Sequence, residues 1–312
     1  MTFRDACIIV TGASGMIGRR MVTMLAANGA QVVGVSLDQG RIPAHPQVTP
    51  VCGDLLEAEV GERTFTLAKQ MSGGATTIIH LAGMSSATDA RIRPEDAVLA
   101  NTLLTARLLA LTHRHGCKQF LLSSTGVVYS SGRRMPVDET YPPAPRTFYA
   151  ATKLAAEALC QGASSEWGIA CEIVRISNVY GPDSLENTVF GRMLGQARKG
   201  EPVTVQSRRP IRDFIYVDDV AEGLLRLITI ADGPGCRITN LSTATGTSVG
   251  ELVDAVVVAA GITTIACNEE EEECNDSLIL ANDLLYKRTG WRPRYGIAEG
   301  LRSIFSEAER IA

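Results

Sequence analysis

Residues 7–20 read CIIVTGASGMIGRR, an apolar run that ends in a glycine-spaced turn and passes directly into a helical pattern. The glycines fall at Gly12, Gly15 and Gly18, a GxxGxxG spacing. At a strand-to-helix turn they let the backbone bend sharply, approach a pyrophosphate closely and pack the following helix on the strand. The N–H groups that open this helix, at Met16 and Ile17, and its positive dipole end would face the phosphates. The position between a first strand and a helix, more than the glycines alone, points to a dinucleotide site at the first crossover.

The pattern continues outward from this turn. QVVGVS, TTIIHLAG, KQFLLSS and ACEIVRISNVYG are short, nearly continuous apolar runs, separated by helical stretches such as NTLLTARLLALTHRHG and FYAATKLAAEALCQGASSEWG. Strands apolar on both faces, alternating with helices, predict an α/β fold: a doubly wound parallel sheet of Rossmann type. After Gly181 the rhythm loosens. DFIYV and CRITNLS read as strands returning to the sheet, TVFGRMLGQARKG as a helix, and SLIL as a short strand in a mostly helical C-terminal part. The expected division is a dinucleotide-binding domain of residues 1–177 plus 213–242, with a smaller, discontinuous C-terminal α/β substrate lobe of residues 178–212 plus 243–312.

Composition removes several function classes. The 312 residues, 45% of them hydrophobic, suffice for a sizeable core. A net charge of −4 with no basic run argues against nucleic acid as a partner. The longest apolar stretch, residues 255–266, is too short to cross a bilayer, and Asp5 breaks a signal-peptide pattern, so no membrane association and a cytoplasmic location are expected. The eight cysteines include no CxxC pair and sit largely in apolar runs, as reduced thiols do. Cys267 and Cys274, flanking Glu269–Glu273, fit no zinc spacing, and no metal is expected.

Eighteen residues past Gly18, where a carboxylate ordinarily takes the adenosine ribose hydroxyls of NAD, stands Ser36. Without that carboxylate nothing repels a 2′-phosphate, and Arg41 follows nearby, so the sequence leans to NADP. Asp38 keeps NAD open, because a strand two residues longer would bring it to the ribose. In CGDLLE, Asp54, followed by Leu55, would either accept from the adenine amino group or cap a helix. Leu81, Ala82 and Gly83 end the fourth strand in HLAG and would let the cofactor lie against the backbone.

Tyr149 and Lys153, four apart in FYAATK, share one helix face. An ammonium beside a phenol favours the phenolate and lowers its pKa. That suits Tyr149 to proton transfer at a hydroxyl or carbonyl whose carbon exchanges hydride with a nicotinamide. Thr125, just past an apolar strand, belongs at the carboxyl edge of the sheet, where its hydroxyl would orient the reacting oxygen; a turn hydrogen bond accounts for the same threonine.

TGASGMIG, GDL, HLAG, Asn101 in the helix before FLLSST, STGVVYS, YAATK, RISNVYGP and RDFIYVDDV occur in this order and at these intervals. Together they resemble the extended short-chain dehydrogenase/reductase family, most closely its NAD-dependent epimerase/dehydratase group, many of whose members act on nucleotide sugars. The resemblance covers about residues 5–225 well and the remainder loosely. It implies Tyr149 as acid/base, Lys153 on the nicotinamide ribose and tuning the tyrosine, Thr125 in the place of the catalytic serine or threonine, and Asn101 beside the cofactor. Asn178 and Arg212 match positions that contact the substrate diphosphate, whereas Asp218 and Asp219 read as the cap of the helix AEGLLRLI. It also implies a homodimer joined through the helices around residues 97–115 and 149–166.

Departures from the family pattern narrow the reaction. The 4,6-dehydratases follow the catalytic threonine with Asp-Glu, because elimination needs an added acid and base; here those positions are Gly126 and Val127. Ser177 replaces the bulky residue that many epimerases set against the nicotinamide. The expectation is therefore an NAD(P)-dependent C4 epimerase or 4-ketoreductase of a nucleotide sugar. A dehydrogenase of a small non-nucleotide sugar, sugar acid or alcohol is the first alternative, and a non-catalytic NAD(P)-binding regulator the second. Glu270 and Glu271 fall where nucleotide-sugar members tend to carry a diphosphate-clamping arginine; the glutamate run reads otherwise as a solvated loop.

Overall fold

The computed structural model describes residues 3, 6–72, 76–129, 135–230, 233–262, 265–267 and 277–311. Seven strands form one parallel sheet: β1 (Cys7–Thr11), β2 (Gln31–Ser36), β3 (Val48–Cys52), β4 (Thr76–His80), β5 (Gln119–Thr125), β6 (Ala170–Ile176) and β11 (Gly235–Leu241), in the order β11-β6-β5-β4-β1-β2-β3. The chain first builds outward from β1 to β3, then crosses to β4 and builds the other way. The carboxyl ends of β1 and β4 therefore flank the topological switch point, where such sheets open a crevice for ligands.

Both faces of the sheet are covered, which is why its strands carry valine and isoleucine at successive positions. Cys7, Ile9, Val33, Ile78, Phe120 and Ile173 enter the core shared with α2 (Ala58–Ser72), α5 (Leu104–Arg114) and α6 (Phe148–Trp167). Ile8, Val10, Val32, Ile79, Leu121 and Val174 enter the core on the other face, with α1 (Met16–Ala27), α8 (Val217–Ile228) and α10 (Asp283–Thr289). Between β4 and α5 the chain runs through α3 (Ala87–Ile92), α4 (Pro94–Ala97) and a π-helical segment, Val98–Leu103.

A third core gathers Tyr180, Phe190, Leu194, Tyr216, Leu252, Leu301 and Ile304 from α7 (Val189–Arg198), α9 (Val249–Ala260), α11 (Ile297–Ile311) and short strands, near three two-stranded sheets. These pair β7 (Asn178–Tyr180) with β10 (Phe214–Tyr216), β9 (Ile211–Arg212) with β12 (Thr247–Ser248), and β8 (Val203–Val205) with β13 (Ile265–Cys267). DFIYV thus does not rejoin the large sheet, as its apolar character had suggested; it pairs with the short strand just past β6. CRITNLS does rejoin it, as β11. SLIL contributes isolated bridges, Leu278 to Arg212 and Leu280 to Val137. Asp218 and Asp219 do not cap α8. Asp218 pairs with Arg20 at 2.9 Å, and buried Asp219 accepts the N–H groups of Arg294 and Tyr295. The segment Glu269–Glu273, with Cys274, lies outside the described residues.

Candidate active site

The glycine turn joins β1 to α1 at the switch point. Gly12 has φ +68°, and a Cβ there would lie 2.8 Å from the Ala82 nitrogen; a Cβ on Gly18 would lie 2.0 Å from the Gly12 carbonyl oxygen. Only glycine lets the turn press against the end of β4 in this way. Gly15 is the N-cap of α1 and supplies no side-chain bond, so the N–H groups of Met16 and Ile17 are not capped by it. This is a cradle for a phosphate-bearing ligand.

The strand ends beside it are fixed by a buried relay. Thr11 and His80 are register partners across β1 and β4. Thr105 donates to the Asn101 carbonyl at 2.7 Å, so it accepts from His80 Nε2 at 3.1 Å; His80 Nδ1 then accepts the Thr11 hydroxyl at 2.8 Å. Thr11 in turn accepts the N–H groups of Leu81 and Ala82 at 3.2 and 3.1 Å. Burial, aided by the Lys153 charge, pushes His80 down to about 3, so the ring stays neutral and the relay keeps one orientation. Asn101 accepts the Met84 N–H and donates to Thr152, whose hydroxyl donates to the Tyr149 carbonyl. The asparagine proposed beside the cofactor therefore spends its side chain on linking the β4 loop to α6.

At the adenosine end, the Ser14 and Ser36 hydroxyls bond at 2.5 Å, and Ser36 accepts the Asp38 N–H at 3.3 Å. β2 stops at Ser36, and Asp38 turns one oxygen onto the Gly40 N–H at 3.0 Å, so the longer strand that would bring it to the ribose is absent. Arg41 is 54% exposed, 3.7 Å from Asp183, which is also paired with Arg19. Asp54 accepts the Leu56 N–H at 2.8 Å in a turn ahead of α2, and Leu55 is buried.

Helix α6 begins at the N-cap Thr147, which accepts the Ala150 N–H at 3.1 Å, and so presents Tyr149 in its first turn. Thr125, the last residue of β5, accepts the Val127 N–H through its side chain, and its hydroxyl favours the ionised form of the Tyr149 phenol. Burial pushes the phenol up to about 12, against the opposing influence of Thr125. The expected lowering by Lys153 is not met. The ammonium, itself pushed down to about 8 by burial, interacts with Glu157 and His80, and the groups acting on the phenol are burial and Thr125.

Asn178, exposed at the start of β7, is held by its backbone N–H to the Asp213 carbonyl at 2.9 Å. Arg212 stands one residue away on β9 and donates to the Ile211 carbonyl. Asp213, absent from the sequence reading, is buried between them. Its carboxylate accepts the Thr243 hydroxyl and N–H at 2.7 and 3.0 Å, the Ala244 N–H at 3.0 Å and the Ser177 hydroxyl at 3.3 Å. Thr11, His80 and Thr105 were also missed. A histidine closing an apolar strand was the available signal for the relay, and a carboxylate beside Arg212 the one for Asp213.

The glycine cradle and the pinned β4 end fit a dinucleotide, which the turn at residues 12–18, the Leu81–Gly83 backbone and Lys153 would hold. Such a cofactor supplies hydride exchange at its nicotinamide. Gly126 packs against Leu280, and Val127 is apolar and partly exposed, so neither offers a second acid or base. No group of three or more metal-ligating side chains occurs among the described residues, and no helix there is long and apolar enough to cross a membrane.

A UDP-glucose 4-epimerase of Cyamopsis tetragonoloba is 26% identical over 340 aligned positions, covering 97% of this chain and 95% of the relative. That of Azospirillum brasilense is 26% identical, with 94% and 89% covered. The solved structure of Thermus thermophilus UDP-glucose 4-epimerase, a complex with NAD, is 27% identical, covers 98% of this chain and 100% of its own, and superposes with a TM-score of 0.85. The sequence profile of the NAD dependent epimerase/dehydratase family matches residues 8–242, from the first strand through β11. The chain belongs to that family, within the extended short-chain dehydrogenases/reductases.

Proposed function

We propose that this protein is an NAD(P)-dependent nucleotide-sugar enzyme that exchanges hydride at a sugar C4, as an epimerase or a 4-ketoreductase and not as a 4,6-dehydratase. The observation that carries the reading is Thr125 at the carboxyl end of β5, whose neighbour Ser124 is bonded to Glu157 of the same helix that presents Tyr149 and Lys153 one turn apart. Thr125 orients the substrate oxygen, Tyr149 moves its proton, and Asn178 and Arg212 take the diphosphate. Near-full-length similarity to UDP-glucose 4-epimerases favours the epimerase arm and a uridine nucleotide.

Ser36 bonded to Ser14, Asp38 turned onto its own loop and half-exposed Arg41 favour NADP at the adenosine end, although the Thermus thermophilus relative is a complex with NAD. The cysteines described are free thiols, which suits a reducing, cytoplasmic setting. Leu99 and Leu103, 42% and 47% exposed on the π-helical segment, and Phe148, 54% exposed on α6, leave apolar side chains open on the two helical stretches that would join a homodimer.

Calorimetric titration with UDP, CDP, GDP and dTDP, and with NAD against NADP, tests the reading. Binding of one nucleoside diphosphate together with a dinucleotide is expected. Absence of all four nucleotide responses favours the small non-nucleotide substrate, and a Tyr149→Phe variant with full cellular function favours the regulator.

A further inference from the structure

Glu157 lies one turn beyond Lys153 on α6 and is 1% exposed. Its carboxylate accepts Arg175 of β6 twice, Nε at 3.0 Å and Nη2 at 2.6 Å, and the Ser124 hydroxyl of β5 at 2.5 Å. Ser124 and Arg175 are register partners across β5 and β6. Arg175 lies 4.5 Å over the Tyr129 ring, whose hydroxyl donates to Asn240 on β11. Three elements therefore meet at one carboxylate. Ser124 immediately precedes Thr125, and Glu157 shares the helix of Tyr149 and Lys153.

Stability does not explain such a pair. Taking both charges out of water offsets much of their attraction, and well-packed apolar residues in place of a buried ion pair are commonly neutral or stabilising. What apolar residues cannot supply is a directional tie between strand and helix, or a counter-charge for a buried ammonium. Lys153 has few other sources of one. The charged and titratable groups acting on it are Glu157 and Cys160 from α6, and it faces neutral His80 from β4. Around Glu157 stand Lys153, Arg175, Tyr129 and the thiol of Cys236.

We infer that Glu157, clamped by Arg175 and Ser124, is a positioning residue that sets Thr125 against Tyr149 and keeps Lys153 in its ammonium form for the dinucleotide. The role rests on Tyr149 and Lys153 acting as proposed above.

The test compares the wild type with Glu157→Gln and with the paired apolar variant Glu157→Leu/Arg175→Met. Melting temperature is measured, together with NAD and NADP affinity by calorimetry from neutral into alkaline pH, and turnover of UDP-glucose. The paired variant is expected to melt at or above the wild type. In both variants dinucleotide affinity should fall at a pH lower by roughly one unit or more, and turnover should drop roughly 10- to 100-fold. A folded paired variant that keeps the wild-type alkaline limb and turnover overturns the inference. If that variant does not fold, an unchanged limb in Glu157→Gln overturns it equally. Failure of both to fold makes the pair a structural requirement and also ends the positioning role. The dinucleotide titration needs no sugar, so a wild type that binds dinucleotide but no nucleoside diphosphate refutes the nucleotide-sugar reading while leaving Glu157 to be judged by its own limb.

Discussion

Replacing Thr11 by valine removes one hydroxyl at nearly constant volume, and the structure states what is lost. Thr11 is fully buried; it donates to His80 Nδ1 and accepts two backbone N–H groups. His80 Nδ1 has no route to solvent, since the residue is 1% exposed, so its acceptor is left unpaired at a cost of about 1 to 3 kcal/mol. Leu81 and Ala82 are only partly buried, and water can meet their N–H groups at a smaller cost. The sum is a destabilisation of roughly 2 to 4 kcal/mol. Because those two residues form the wall beside Gly12, dinucleotide affinity should fall as well, by about tenfold or more. Urea denaturation and calorimetry with NAD and NADP measure the two effects. A loss below roughly 0.5 kcal/mol, or unchanged affinity in a protein destabilised as expected, would refute the relay as the support of the cofactor wall.

Further perturbations follow from single contacts. Lys153→Met should stabilise the protein at neutral pH while abolishing turnover: the lysine is lowered from 10.5 to about 8, so burying its charged form costs up to roughly 3 kcal/mol. That cost is present below about 8 and fades as pH rises to 10.5, so the two proteins' denaturation midpoints should converge over that range. Gly18→Ala drives a Cβ onto the Gly12 carbonyl and should weaken dinucleotide binding by more than about tenfold by calorimetry, with a melting temperature below wild type. Asp213→Asn places an amide donor among the N–H groups of Thr243 and Ala244, and should cost about 1 to 3 kcal/mol in urea titrations. It should also weaken UDP binding without affecting the dinucleotide.

Local patterns on single elements were readable in the chain. The glycine turn, the parallel sheet and the helix carrying Tyr149 and Lys153 each follow from spacing within one stretch. DFIYV was misplaced because an apolar three-residue strand pairs equally well in a small sheet as in a large one. What no stretch displays is which residues meet across elements. His80 reaches Thr11 across 69 positions, and Arg175 on β6 reaches Glu157 on α6. The phenol's pKa was misread for the same reason: a lysine one turn away suggested a lowered value, but burial by the surrounding elements dominates.

In the proposed reaction the Tyr149 phenol carries the proton while hydride moves at the sugar carbon. Turnover of UDP-glucose by Tyr149→Phe tests it most directly when paired with calorimetry on UDP and dinucleotide. Affinities within a few-fold of wild type and turnover lower by at least about 100-fold are predicted. Turnover near the wild-type rate with both ligands bound would contradict it.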